Sequence, residues 1–536
     1  MQTAQAPPRQ ATGDKIEGGA RQVLGHLLWV VPAVAALALY YARNFGGLYF
    51  NDAMDLAQLG RHLQAGHGYV TSVIRPLSWA LNPNLLGPDH PELYQAPLFP
   101  LLLALFFTVF GATEVVVAAA SALCHLAALL MVYLLGRRLF GHTAGALAAV
   151  LVAVNLQLVS YAVSGLATPL ALFLVTLGVY LLYVNRESAR RTALVGVVFG
   201  LACLAEYACV GLAAAALVLA LLLPSARRVK HLVGYLLGMA VVLAPWAYRN
   251  AVVTGNPFFT LKLYWFSMFN MVHPGSSLLR SADLQAASPL RFLVEHPLAV
   301  AYKWLLGTES LLATIPAMVG LYLAAFLVAG LLRRVPEPRL MLLRNWAVLT
   351  LVWQMALVAL FNPAIGLLVP LVGVLAALAT GYFLLLGQEL GRGRWRWATA
   401  LLVVVAAYPL LCNVALGQRL RGVSLGSLDY LKRNFVPSTI VVTDVPWAVA
   451  WHTELTSVWI PTELKDTDRI DRRSKIGAIY LSATLPTYPA AENVLLWQTL
   501  YKGTGRLQGF ELQASFPPGE YIFRRTSGAA RNGGER

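Results

Sequence analysis

Apolar residues run along this chain in long blocks separated by short polar connectors. The blocks fall approximately at 26–42, 96–110, 114–135, 143–162, 166–185, 192–206, 207–223, 231–248, 310–332, 345–362, 364–386 and 397–417. Most come close to the ~20 residues a helix needs to cross about 30 Å of hydrocarbon. The piece from Pro97 to Gly111 is shorter and contains Pro100, which predicts a partial or re-entrant segment.

Basic residues collect in the connectors. They are Arg137-Arg138, Arg186 with Arg190-Arg191, Arg227-Arg228 with Lys230, Arg333-Arg334 with Arg339 and Arg344, and Arg392 with Arg394 and Arg396. The positive-inside rule assigns all of them to the cytoplasm. They alternate consistently from residue 136 onward, so the stretch 96–135 must make an odd number of crossings. A plain count of twelve full crossings would put Arg137-Arg138 outside; the charge rule is the stronger constraint.

The expected fold is therefore an all-α polytopic membrane protein of about 11–12 transmembrane helices, carrying a small extramembrane α/β domain. Residues 1–25 read as a disordered cytoplasmic tail and 26–417 as the membrane domain. The segment His26 to Tyr41 has no small-residue cleavage site behind it and reads as a retained helix. Loops 43–95 and 249–309 and the segment 418–536 face outside. In that last segment charges return, with β-like runs at Ser438–Thr443, Ile476–Leu481 and Gly519–Phe523. No solenoid-length repeat and no Walker or Rossmann glycine pattern is visible. The implied location is the inner (plasma) membrane.

Composition agrees. Apolar residues are 58% of 536 and charged residues only 12%, with a mean hydropathy of +0.62. A soluble chain cannot bury that much apolar surface. The net charge of +16 is scattered through short connectors, which points to membrane topology and to no nucleic-acid partner. Cys124, Cys203, Cys209 and Cys412 all lie in apolar runs and read as small hydrophobes.

Candidate chemistry begins at Asp52 and Asp55, just after the first apolar block. If Asp52 to Gln64 is helical, as Leu56, Leu59 and Leu63 suggest, both carboxylates lie near one face. That suits a general base with a helper, or two ligands for a hard cation. The plainer alternative is a helix cap with an acid in the first turn. Beyond a glycine-marked stop at Gly66 to Tyr69 come Arg75-Pro76 and the run Asp89-His90-Pro91-Glu92-Leu93-Tyr94-Gln95-Ala96-Pro97-Leu98.

This whole block resembles the first external loop of the GT-C glycosyltransferases, in particular their protein O-mannosyltransferase and aminoarabinose-transferase-like branch (glycosyltransferase family 39-like). Two further stretches are similar to elements of bacterial members. One is Pro245-Trp246-Ala247-Tyr248-Arg249-Asn250 with Gly255-Asn256-Pro257; the other is Thr443-Asp444-Val445-Pro446-Trp447. There are departures. Ala53 stands where many members have a second acid, Gly165-Leu166-Ala167-Thr168 replaces a Gly-Leu-x-Glu pattern, and Phe361-Asn362-Pro363 lacks a preceding Arg-Tyr.

The resemblance implies inverting transfer of a sugar from a polyprenyl-phosphate donor to a glycan, lipid or protein acceptor at the outer membrane face. Asp52 is then the candidate base, with Asp55 orienting the acceptor or lying plainly on the helix surface. Arg249 is the first candidate for the lipid phosphate, with Lys262 and Arg75 as seconds; snorkelling is the alternative for Arg249. His90, Glu92 and Tyr94 are placed to line the same cavity, although His90 also reads as a surface loop histidine and Tyr94 as an interfacial anchor. Glu206, inside an apolar run, marks either a span end or the cavity. The aromatic run Pro257 to Phe266 suits guiding a prenyl chain or forming an ordinary aromatic belt. Mannosyltransferase-like relatives need no cofactor, while Asp52 and Asp55 leave Mg²⁺ or Mn²⁺ open, as in the oligosaccharyltransferase branch. The rival functions are a secondary transporter or lipid flippase and a non-catalytic subunit of the same fold.

Overall fold

The computed structural model describes residues 29–526 apart from 83–86, 88, 185–187, 224–227, 284–287, 334–336, 388–391, 418, 420–423, 490–493, 504–506 and 508. The expected N-terminal tail and the connector residues Arg186, Arg227 and Arg334 lie outside the described residues.

Helices dominate because the apolar blocks leave no backbone group free to pair outside its own segment. The first, α1 (29–44), ends where three short helices gather: α2 (Asn51–Gln64), α3 (Pro76–Leu81) and α4 (Leu98–Phe110). The body follows as α5 (Glu114–Phe140), α6 (His142–Ala153), α7 (Leu156–Ala162), α8 (Thr168–Val184), α9 (Ala189–Ala205), α10 (Cys209–Leu222) and α11 (Arg228–Thr254). After a loop with a short helix, α12 (Pro289–Glu295), come α13 (Pro297–Val319), α14 (Leu321–Leu332), α15 (Pro338–Phe361), α16 (Val372–Gly387) and α17 (Arg392–Leu416). Among the described residues, five helices are long and apolar enough to span a membrane alone, and up to seven spans result if each of two bent pairs counts as one. The block expected at 143–162 is one such pair, α6 and α7, bent by 73°. Asn155 caps α7 at the break and donates to the carbonyls of Ala317 and Met318.

The two ends of the body are chemically distinct. At one end Glu114, the first residue of α5, lies 3.6 Å from His452 of the C-terminal domain. The same helix ends in Arg137 and Arg138. Trp29 at the start of α1 stacks on Tyr133 near that basic end, while Arg43 at its other end donates to Val414 at the end of α17. From α5 onward the longer helices run between the two ends, and α6–α7 and α13–α14 are bent pairs. The connectors bearing Arg190-Arg191, Arg228 with Lys230, Arg333 with Arg339 and Arg344, and Arg394 with Arg396 therefore gather at the end away from Asp52.

Helix α4 resolves the parity of the stretch 96–135. Its 13 residues rise about 20 Å, no shorter in kind than α10, so its placement and not its length is what distinguishes it. It packs along α2, where a Cβ on Gly60 would meet Leu103 at 2.8 Å, and Phe107 stacks on Trp451 of the C-terminal domain. Its outward side carries exposed Leu101, Leu105, Val109 and Phe110. It starts and ends at the same end of the body, so only α5 crosses.

The C-terminal segment forms an α/β domain with helices α18 (Leu425–Asn434), α19 (Pro446–Thr453), α20 (Leu464–Arg473) and α21 (Leu495–Tyr501). Its strands are β2 (Ile440–Thr443), β3 (Thr456–Trp459), β4 (Ile476–Leu481), β5 (Phe510–Phe516) and β6 (Glu520–Arg525). The sheet is completed by β1 (Val73–Ile74) from the first loop, in the order β1-β3-β2-β4-β6-β5. Strands β1, β3, β2 and β4 are parallel, and β6 and β5 run antiparallel. The expected β-like runs correspond to β2, β4 and β6; β1, β3 and β5 are additional. Loop and domain are thus one structural unit, joined by Ser457 donating to the Ser72 carbonyl through its backbone N–H (2.8 Å) and its hydroxyl (3.1 Å).

Candidate active site

Helix α2 is the foundation of the site. Phe50 occupies its N-cap position without a side-chain bond, so Asp52 is a first-turn acid and not a cap. The helix dipole favours a carboxylate there. Asp52, Asp55 and Gln58 recur at a spacing of three and so share a face, yet the fold uses them differently.

Asp55 is only 1% exposed. Its Oδ2 accepts from Arg75 Nη2 at 2.6 Å and from Gln95 Nε2 at 3.1 Å, and its Oδ1 accepts from Gln58 Nε2 at 3.2 Å. Arg75, the residue that follows β1, also lies 3.7 Å from Glu92 Oε2. The other Glu92 oxygen accepts the backbone N–H groups of Tyr94 and, at 2.8 Å, Gln95. Burial pushes the Glu92 carboxyl upward against the opposing pull of Arg75. Burial also opposes the charge on Arg75, but Asp55, Glu92 and Tyr94 together outweigh it and hold the guanidinium charged. This buried network braces the loop and leaves Asp55 no oxygen without a donor.

Asp52 differs in facing open space. It lines a cavity of about 420 Å³ together with Phe50, Asn51, Arg75, Tyr94 and Leu166 on one side and Trp447, Trp459 and Tyr488 of the C-terminal domain on the other. Gln95 holds it by donating to Oδ1 at 3.0 Å. Its carboxylate keeps exposed surface on the cavity, but the dense protein around it dominates: desolvation raises its pKa, Lys262 lowers it, and Asp55 raises it again. The net direction is upward. Gly165, with φ +79° and no room for a Cβ against Val117, Leu48 and Ala53, brings Leu166 to the same wall.

The cationic residues separate by role. Lys262, in the 3₁₀ turn Leu261–Ser267, pairs with Glu206 at 3.1 Å. Its ammonium lies 5.4, 5.9 and 5.1 Å from the ring centroids of Tyr94, Tyr207 and Trp265. The Tyr94 ring is shared with Arg75, whose Cζ is 4.1 Å from its centroid. Below Lys262 opens an apolar cavity of about 170 Å³, lined by Val210, Leu263, Trp265, Leu357, Val358 and Phe361 among others. Buried Lys303 donates to the carbonyls of Trp265, Phe266 and Phe361 and so fixes the turn that carries Lys262. Arg249, at the end of α11, lies on the same side as Asp52. It donates to the Tyr69 carbonyl at 3.2 Å, stacks over Trp246 and Tyr69, and lines neither cavity.

Of the loop residues, Tyr94 lines the cavity, Glu92 braces Arg75, and His90 is buried against the Ser78 hydroxyl. The surface-loop reading of His90 does not match this burial: Val70 and Pro91 form a β-bridge that folds its segment inward. Glu206 is the C-cap of α9 at the cavity level, where its carboxylate meets Lys262. Gln95, Trp459 and Tyr488 carry no sequence signal of their own; only their placement reveals them. Among the described residues no three His, Cys, Asp or Glu side chains gather as a metal site. Asp55 is already occupied by N–H donors, so the Asp52–Asp55 pair does not fit a hard cation and no step is derived through one.

Comparison with known proteins agrees with this architecture. Residues 89–248 match the dolichyl-phosphate-mannose-protein mannosyltransferase family. No curated protein matches by overall sequence. Among solved structures, the chain is similar to ArnT from Cupriavidus metallidurans bound to undecaprenyl phosphate, at 13% identity and TM-score 0.59, over 94% of this chain and 99% of that one. It is also similar to the oligosaccharyltransferase AglB from Archaeoglobus fulgidus, in complex with an inhibitory peptide and a dolichol-phosphate. That match has 14% identity and TM-score 0.59, over 95% of this chain and 75% of that one. A third is the arabinofuranosyltransferase AftD from Mycobacteria, at 14% identity and TM-score 0.53, over 93% and 40%. The class is set by these likenesses: a multi-pass membrane protein with the GT-C glycosyltransferase fold. Residues 89–248 add a likeness to the mannosyltransferase family over that stretch.

Proposed function

We propose that this protein is an inverting glycosyltransferase that moves a sugar from a polyprenyl-phosphate donor to an acceptor nucleophile, at the outer face of the inner membrane. The observation that carries this reading is that Asp52 lies within electrostatic reach of Lys262, with Tyr94 between them: its ring lines the Asp52 cavity and lies 5.4 Å from the Lys262 ammonium. A carboxylate of raised pKa lines one cavity, and a lysine ammonium held among aromatic rings lines a neighbouring apolar one. The undecaprenyl-phosphate and dolichol-phosphate ligands of the ArnT and AglB structures support the donor class.

The division of labour follows from the geometry. The apolar cavity takes the first prenyl units, and the Lys262 ammonium neutralises the lipid phosphate as it departs. A phosphate is already a good leaving group, so charge stabilisation matters more than acid assistance. Asp52 removes the acceptor proton as the nucleophile attacks the anomeric carbon opposite the phosphate, and the carbon inverts. Gln95 orients Asp52, while Asp55, Arg75 and Glu92 hold the loop in place. Arg249 donates to the Tyr69 carbonyl, and the Tyr69 and Tyr207 hydroxyls donate to the Gln95 carbonyl, which gives Arg249 a positioning role.

Replacing Asp52 with Asn tests this. Transfer from a polyprenyl-phosphate sugar, followed by thin-layer separation of product, should fall by about 10²–10⁴-fold with expression intact and no loss of thermal stability. Equal turnover by the variant and the parent protein would exclude Asp52 as the base.

A further inference from the structure

The acceptor site shows itself in the way the sheet meets the cavity. In open α/β sheets, ligands bind in the crevice beyond the carboxyl ends of parallel strands. Here four parallel strands end at one place. Arg75 follows β1, Val445 and Trp447 follow β2, Trp459 closes β3, and Thr484, Thr487 and Tyr488 follow β4. All of these line either the Asp52 cavity or a second one of about 380 Å³. The two cavities share Phe50, Asn51, Trp447 and Tyr488, so they form one continuous cleft running outward from Asp52.

Its chemistry is specific in kind. Tyr49, Phe50, Trp447, Trp459 and Tyr488 supply aromatic surface, and Asn51, Ser276, Thr484 and Thr487 supply hydroxyl and amide groups. Among the described residues the one cation in the lining is Arg75, which is paired with Asp55 and Glu92. Arg280 packs against the rings of Trp459 and Tyr488 but is fully buried and is not part of the lining. Among the described lining residues no unpaired cation is offered to a phosphate. A peptide bound as an added strand would need a free strand edge, and apart from the two-residue β1 the strands ending here are interior to the sheet.

The β4 loop is held in shape by a dedicated residue. Buried Asp444 accepts from the Ser482 backbone N–H at 2.9 Å, the Ser482 hydroxyl at 2.6 Å and the Thr484 hydroxyl at 3.1 Å. The Tyr488 hydroxyl returns to the Asp444 carbonyl at 3.0 Å. This fixes Thr484, Thr487 and Tyr488 on the wall of the cleft.

We propose that the carboxyl edge of the shared sheet is an acceptor site for an uncharged glycan, with aromatic faces against sugar rings and Asn and Thr groups on their hydroxyls. The proposal rests on the glycosyltransferase reading above and narrows its acceptor from glycan, lipid or protein to a neutral sugar chain. The full-length protein in nanodiscs would be titrated separately with cellobiose, mannobiose and arabinobiose, with a Ser/Thr-containing hexapeptide, with glucosamine 1-phosphate, and with farnesyl phosphate. Binding is read by saturation-transfer NMR and tryptophan fluorescence.

At least one neutral disaccharide should bind, and Trp447→Ala should weaken it by about tenfold or more while farnesyl phosphate binding stays unchanged. Tyr49 is 47% exposed, so Tyr49→Ala provides a variant whose folding is not at issue, and it should weaken the same sugar. Binding by none of the disaccharides, or only by the peptide or the phosphorylated sugar, overturns the proposal. A wild-type protein that takes the disaccharide but no farnesyl phosphate would instead sink the donor reading and leave the cleft standing.

Discussion

Lys262 and Glu206, 56 residues apart in the chain, meet as a 3.1 Å ion pair where Lys262 lines the apolar cavity. The lysine that is to receive a lipid phosphate already has an anionic partner, which competes with the ligand. Glu206→Gln should therefore tighten farnesyl phosphate binding by about two- to fivefold, in line with a partly exposed pair. Lys262→Met should weaken it. Isothermal titration in detergent measures both, and unchanged affinity in both variants would place the phosphate elsewhere.

Arg75 is the opposite case, a cation whose partners are sealed from water. Removing it leaves Asp55 and Glu92 buried without a counter-charge, which typically costs about 3–5 kcal/mol. Arg75→Met should lower the melting temperature sharply and expose the loop 43–95 to proteolysis. Arg75→Lys should recover part of the stability, because charge returns without the forked geometry. A full-stability Arg75→Met protein would show that the network is dispensable.

The raised Asp52 pKa has consequences for rate and for stability. A base must be ionised, so the acid limb of the rate profile should lie above the ordinary aspartate value of about 3.9. For stability the direction reverses. A carboxyl whose folded pKa is the higher one contributes stability that is complete below the unfolded pKa and is lost as pH rises through the folded pKa. Ionised Asp52 thus weighs against the fold at neutral pH. Asp52→Asn should be inactive yet melt at or above the parent temperature at pH 7, with the difference vanishing in strong acid. Melting clearly below the parent would contradict the direction of the shift.

Chelation gives a separate check on the donor set. Because Arg75, Gln58 and Gln95 occupy both oxygens of Asp55, turnover should survive exhaustive EDTA treatment and should not rise on adding Mg²⁺ or Mn²⁺. Activity that disappears with EDTA and returns with one of these ions would mean that the network opens during the reaction.

Much of the architecture is carried by local sequence. The length of an apolar run is fixed by hydrocarbon thickness, and the placement of arginines by the sidedness of the membrane, so both are visible one segment at a time. The helical reading of Asp52 to Gln64 and the strands at Ile440–Thr443 and Ile476–Leu481 rest on equally local periodicity. Tertiary structure alone decided which of two acids three residues apart faces the cavity. That choice depends on Arg75 arriving 20 residues later and Gln95 some 40 later. Likewise Val73 and Ile74 carry too little local preference to declare a strand; they become one because Ser457 and Val458 lie beside them. Side chains at an interface are selected by partners hundreds of residues away, and no short window of sequence contains both halves of that contact.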